Sequence, residues 1–145
     1  MSLALPEYEP RYLAGILLFN RRDFFEAHEV WESLWLDSCV GADRRFVQAL
    51  IQAAVAMHHF GNGNHRGARK LYHSSRAYME AYPSPHLGLD IAGYWRVMEE
   101  CFASLMAVGE QGPCPPLDMT LAPTIGLDPA PDFWPDPAAF IEDDE

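Results

Sequence analysis

The sequence predicts an all-α protein: a compact bundle of about five helices in antiparallel helix-turn-helix pairs, followed by an extended, Pro-rich, acidic C-terminal strap. Three observations carry this. Apolar side chains recur at three- and four-residue spacing through the first 109 residues. Helix-capping and helix-stopping residues punctuate that stretch at short intervals. After Gly109 the composition changes, and eight of the 12 prolines fall between 113 and 137. The domain organisation that follows is a helical bundle over 1–109 and a Pro-rich acidic segment over 110–145, packing on the bundle or partly disordered.

Pro6 and Pro10 predict an irregular start. A first helix is expected from about Tyr12 to Asn20, with Tyr12, Ile16 and Phe19 on one side. Asp23 has the chemistry of an N-cap, and Glu26 three residues on makes a capping-box-like pair for a second helix to about Leu36. The third helix, about Asp43 to Phe60, is apolar nearly all round and should be central and buried. Gly61-Asn62-Gly63 tolerates left-handed backbone and should end it. Asn64 caps a fourth helix to about Ala81, Pro83 and Pro85 break the chain, and a fifth helix runs from about Asp90 to Val108 before Gly109. Leu117, Leu121, Ile125, Leu127, Phe133, Trp134, Phe140 and Ile141 give the strap apolar groups to bury on the bundle. A weak internal echo links residues 22–31 and 63–72 at an offset of 41: a polar cap, Ala four residues later, then an aromatic.

Net charge is −11, unevenly placed. Residues 1–109 hold 12 acidic and 10 basic side chains, whereas 110–145 hold nine acidic ones and no Lys or Arg. With no basic face to neutralise phosphates, nucleic acid is not an expected partner, and neither is an anionic membrane. Cys39, Cys101 and Cys114 are odd in number and widely spaced, so free thiols and a cytoplasmic location are expected. The first residues lack the features of a signal peptide.

The stretch FFEAHEVWESLW, 24–35, places His28 and Glu32 among large apolar side chains. On a helical wheel Phe24, His28, Trp31 and Trp35 share one stripe, so His28 should be buried and Glu32 should border the core. At i and i+4 they can pair. Gln48, Gln52 and His59 form a polar stripe on the third helix, with Gln52 expected to point inward; His58 is expected to pack. Were the second and third helices antiparallel, His28 and Glu32 would face Gln52 and His59 across a cleft. The candidate binding residues are therefore His28, Glu29, Glu32, Trp35, Gln48, Gln52, His59 and Asn64. His28, Glu32 and His59 would suit a divalent metal ion. No cofactor is otherwise signalled. H-E-x-x-H, E-x-x-H, P-loop and G-x-S-x-G patterns are absent, so a metal-dependent hydrolase has weak support and no catalytic residue is assigned.

Three motifs in order, F-F-E-A-H-E-V-W-E-S-L-W, R-F-V-Q-A-L-I-Q-A-A-V-A-M-H-H and G-N-H-R-G-A-R-K-L, resemble the domain-of-unknown-function family numbered 309, over about residues 12–108. Ala49 stands where that family usually has Gly. The resemblance implies an all-helical fold and no activity. Its motif positions are Glu26, His28, Glu29, Trp35, Gln48, Gln52, His59, Asn64 and Gly67; Glu26 and Glu29 lie outward on the wheel, suited to capping or to pairing with Arg44, Arg45 or Arg66. The expected function is binding of a small molecule or metal ion in a His/Glu/Gln pocket between helices two and three. The rival is a helical-repeat-like protein-interaction module in which His28 and Glu32 are structural. That rival predicts an exposed apolar groove and no converging titratable groups. A homo-oligomer, with Phe133 and Trp134 docking on a neighbour, is a further expectation.

Overall fold

The computed structural model describes residues 8–109 and 111–141; Pro6 and the terminal acidic run 142–145 lie outside them. Five helices follow one another: α1 Pro10–Asn20, α2 Phe24–Asp37, α3 Ala42–Gly61, α4 His65–Glu80 and α5 Ile91–Val108. No strand occurs among the described residues. Pro10 does not delay α1 but opens it, since a helix's first turn needs no N–H from that residue. The Glu9 carboxylate accepts the Arg11 N–H at 2.8 Å and caps the start. Asp23 takes the N-cap position of α2 but makes no side-chain cap bond, so the expected capping box does not form. Asn64 does cap α4, accepting the Gly67 N–H at 3.0 Å. Gly63 and Gly109 take positive φ, 79° and 77°, where α3 and α5 stop.

Short turns make α1–α2 and α3–α4 hairpins, and α2 packs on α3 between them. The echo at offset 41 is visible here. Asp23 and Asn64 occupy the two N-cap positions, Ala27 and Ala68 are fully buried, and Trp31 and Tyr72 face the core. Trp31 is enclosed completely, and its indole N–H donates to the Tyr12 carbonyl at 3.1 Å. Gly15 makes this approach possible: a Cβ there would clash with the indole, well under 3.0 Å from Nε1, Cδ1 and Cε2. α5 closes the core through ring contacts of Tyr94 with Phe19, of Trp95 with Tyr72, and of Phe102 with Phe60 and Tyr72. Ser75, a fully buried polar side chain, donates to the Ala49 carbonyl at 2.6 Å and ties α4 to α3.

α3 is central but not buried all round. Gln48, Ile51, Gln52, Val55, His58 and His59 form a half-exposed stripe on the side away from α1 and α5. Residues 111–141 run back over α1 and α5, and Leu117 and Met119 reach the end of α3 beside Gly61, Asn62 and His58. Asn20 exchanges two hydrogen bonds with Ile125, at 3.0 and 2.7 Å, and the Arg22 guanidinium donates to the carbonyls of Pro123 and Ala122. Arg22 itself is left-handed (φ 70°), an uncommon state for a non-glycine that these contacts hold. Ile125 and Leu127 are buried, whereas Phe133 is 78% exposed and Trp134 and Leu121 are also exposed.

Candidate functional site

His28 sits at the rim of α2, not in the core. The core stripe of α2 is Phe24, Ala27, Val30, Trp31 and Leu34, rotated away from His28 because Trp31 is drawn into the gap left by Gly15. The His28 side chain is 20% exposed and Glu32 is 51% exposed. His28 Nδ1 lies 3.1 Å from the Phe25 carbonyl, which can only accept, so Nδ1 carries the hydrogen. Nε2 then faces Glu32 Oε2 at 3.7 Å, and the two attract only when the ring is protonated, as a loose surface pair worth about 0.5 kcal/mol at most.

The polar groups of α3 divide between its two neighbours. Towards α2, the Phe25 ring stacks between His28 (5.4 Å) and His58 (5.3 Å). At the other end of the same seam the Trp35 indole N–H donates to the Arg44 carbonyl at 3.0 Å, and the Arg44 guanidinium lies 3.9 Å over the Trp35 ring. Towards α4, His59 Nδ1 is 3.4 Å from Asn64 Nδ2, and a Cβ on Gly67 would come within 2.9 Å of the His59 ring. Arg45, seven residues below Gln52 as His59 is seven above, lies 4.8 Å over the Tyr78 ring. The stripe carrying Gln52 and His59 therefore turns to α4.

His59 is thus not brought opposite His28 and Glu32. Among the described residues no group of three or more His, Cys, Asp or Glu is placed to hold a metal ion. The reason is rotational: α2 meets α3 through the His58 side of the wheel, about 100° from His59. His58, expected to pack, is the histidine that meets the α2 seam, and exposed Phe25 is the residue that joins it to His28. Burial and the neighbouring His58 push the His59 imidazole below its ordinary value. Gln52 Oε1 is buried with no hydrogen-bond partner among the described residues, and Gln48 is half-exposed. Glu29 is exposed; Glu26 is half-buried at an open hollow of about 340 Å³ with Glu29, Ser33, Asp37 and Phe140.

One face of the α2–α3–α4 layer emerges. Phe25 and Trp35 from α2, Ile51 and Val55 from α3, and Leu71 and Tyr78 from α4 are all partly or largely exposed across it. His28, Glu32, Arg44, Gln48 and His58 border them. Beside Phe25, an open hollow of about 320 Å³ is lined by Arg22, Asp23, Glu26, Met57, His58 and Asn62. Phe25 was detectable in the sequence only as a second aromatic beside Phe24, which a wheel centred on His28 sets aside.

The family described as "Domain of unknown function (DUF309)" has a model that matches residues 12–71, from α1 into α4. The resemblance drawn from the motifs is borne out over those residues. The uncharacterized protein YpuF of Bacillus subtilis (strain 168) is 29% identical over 104 residues, which cover 70% of this chain and 60% of YpuF. The chain thus matches less than two thirds of that relative's length. No helix among the described residues is long and apolar enough to cross a membrane.

Proposed function

We propose that this chain, whose α1–α4 segment carries the motifs of domain-of-unknown-function family 309, is a protein-interaction module that works through the α2–α3–α4 face. One observation carries the reading. Phe25 is 45% exposed, and beside it Trp35, Ile51, Val55, Leu71 and Tyr78 on three consecutive helices are partly exposed, bordered by polar groups that, among the described residues, do not converge on a centre. An apolar centre with a polar rim is the anatomy of a protein–protein contact. Trp35, held by Arg44, is already fixed in place, so little side-chain entropy would be lost when a partner covers it. His28 and Glu32 then serve as rim groups.

The test is a photo-reactive residue at position 51 of the full chain, with exposed Ala103 on α5 as control, expressed in its native cells. A discrete adduct from position 51 and none from 103 is expected. The same pattern from both positions, or none from 51, overturns the reading. A second reading, a small polar ligand, rests on the hollow beside Phe25, whose volume lies at the lower end of ligand sites and whose walls carry Arg22, Asp23, Glu26 and His58. A ligand-induced rise in thermal stability that His58→Ala abolishes would favour it.

A further inference from the structure

The partner class can be read from how charge is spread over that face. α2 carries four carboxylates, Glu26, Glu29, Glu32 and Asp37, and no Lys or Arg. On α4, Arg66 and Lys70 are exposed, whereas Arg69 is half-buried and Arg76 is paired with Glu80 and with Glu99 of α5. α3 lies between them with its half-exposed stripe Ile51–Val55. The layer therefore carries exposed carboxylates on its α2 edge, Ile51 and Val55 among Gln48, Gln52, His58 and His59 down the middle, and exposed Arg66 and Lys70 on its α4 edge.

The two edges also stand at equal height. The start of α2 meets α3 through the Phe25–His58 rings, and the start of α4 meets it through His59 with Asn64 and Gly67. At the far end Trp35 rests on Arg44, and Tyr78 on the next residue, Arg45. The offset of 41 that aligns Asp23 with Asn64 and Trp31 with Tyr72 aligns Glu29 with Lys70. Glu29, Glu32, Arg66 and Lys70 are all exposed.

We infer that the partner is a second copy of this chain, docked face to face about a two-fold axis that runs along α3; this rests on the interaction-face reading above. Such an axis carries the acidic edge of each protomer over the basic edge of the other. Glu29 meets Lys70 of the other copy, and the contact occurs twice by symmetry. The alternative axis in the same plane, perpendicular to α3, would set α2 on α2 and oppose like charges, which electrostatic complementarity disfavours. The face is large enough. α3 has 20 residues and so is about 30 Å long, and three helices spaced about 8–10 Å apart span roughly 20–25 Å. The projected area is on the order of 600–750 Å² per protomer, close to the ~800 Å² per partner of a standard interface.

The test is sedimentation equilibrium of the full chain, beside the variants Glu29→Lys/Glu32→Lys and Arg66→Glu/Lys70→Glu. All four positions are exposed, so both variants should fold, and circular dichroism checks that they do. A wild-type dimer of twice 16.4 kDa is expected. Each variant alone should dimerise about tenfold or more weakly, and an equimolar mixture of the two should regain the wild-type affinity within about threefold, because the swapped edges attract again. A monomeric wild type at about 100 µM, or a dimer that neither variant weakens, or a mixture no tighter than the variants alone, overturns the inference. A monomer that still gives a position-51 adduct of other mass removes self-association and leaves the interaction face standing. A monomer with no such adduct removes both.

Discussion

Gly15→Ala tests the contact that sets the rotation of α2, and with it the side chains α2 offers to α3. Two terms oppose each other. Glycine within a helix is less favourable than alanine by about 1 kcal/mol, so propensity alone makes the substitution stabilising. The added methyl, however, would lie well under 3.0 Å from Nε1, Cδ1 and Cε2 of the Trp31 indole. That ring is fully enclosed and its N–H is bonded to the Tyr12 carbonyl, so it cannot step aside without losing a buried hydrogen bond of about 1 kcal/mol. Overpacking of this kind costs about 3 kcal/mol at its upper range. The balance is a loss of about 3 kcal/mol, or about 10 °C in Tm for a chain of this length. Urea unfolding at fixed protein concentration measures it, with the midpoint expected to fall by about 1–2 M. In a Trp31→Leu background the methyl meets no indole, and Gly15→Ala should then stabilise by a few tenths to about 1 kcal/mol. A neutral or stabilising Gly15→Ala in the wild-type background, or the same effect in both backgrounds, refutes the steric account.

Three further outcomes are expected. Ser75→Ala should cost about 1–2 kcal/mol in the same urea assay, because the Ala49 carbonyl loses the buried donor that ties α4 to α3. Gln52→Leu should be neutral, or stabilising by up to about 1 kcal/mol, since Gln52 Oε1 is buried with no partner among the described residues; a loss above about 1 kcal/mol would mean that the amide has a partner in solution. His59 is held neutral in the fold, first by burial and then by His58, so the unfolded chain takes up its proton at higher pH than the native chain does. Its contribution is present above about pH 6.5 and is lost as pH falls through the lower native value. Unfolding between pH 7.5 and 5 should show stability falling with pH, and His59→Gln should flatten that slope; an unchanged slope rules out His59 as its source.

The elements were readable because their signals are local. Asn64 announces the start of α4 by its own side chain, and Gly63 and Gly109 end helices through backbone freedom that no neighbour has to supply. The inner stripes of α4 and α5 follow directly from three- and four-residue spacing. Pro10 misled for an equally local reason: proline disrupts a helix interior but suits the first position, and a single sequence does not say which of these it occupies. The candidate site was read less well. Four of its proposed members, His28, Glu32, Trp35 and Gln48, lie on or beside one face, but Gln52 and His59 are turned to α4 and His58 takes the seam.

By itself the sequence determined an all-helical chain, the order and approximate bounds of five helices, the Asn64 cap of α4 and the family motifs they carry. Each of these depends on side chains within one or two turns of each other. The tertiary structure decided which sector of each helix faces which neighbour. A wheel supplies angles between residues of one helix but no zero point, and here the zero is set by contacts distant in sequence. Gly15 admits Trp31, Ser75 holds Ala49, and Arg44 and Arg45 rest on Trp35 and Tyr78. Those contacts rotate His28 to the rim, part His59 from Glu32, and leave an acidic and a basic helix on either side of the half-exposed stripe of α3.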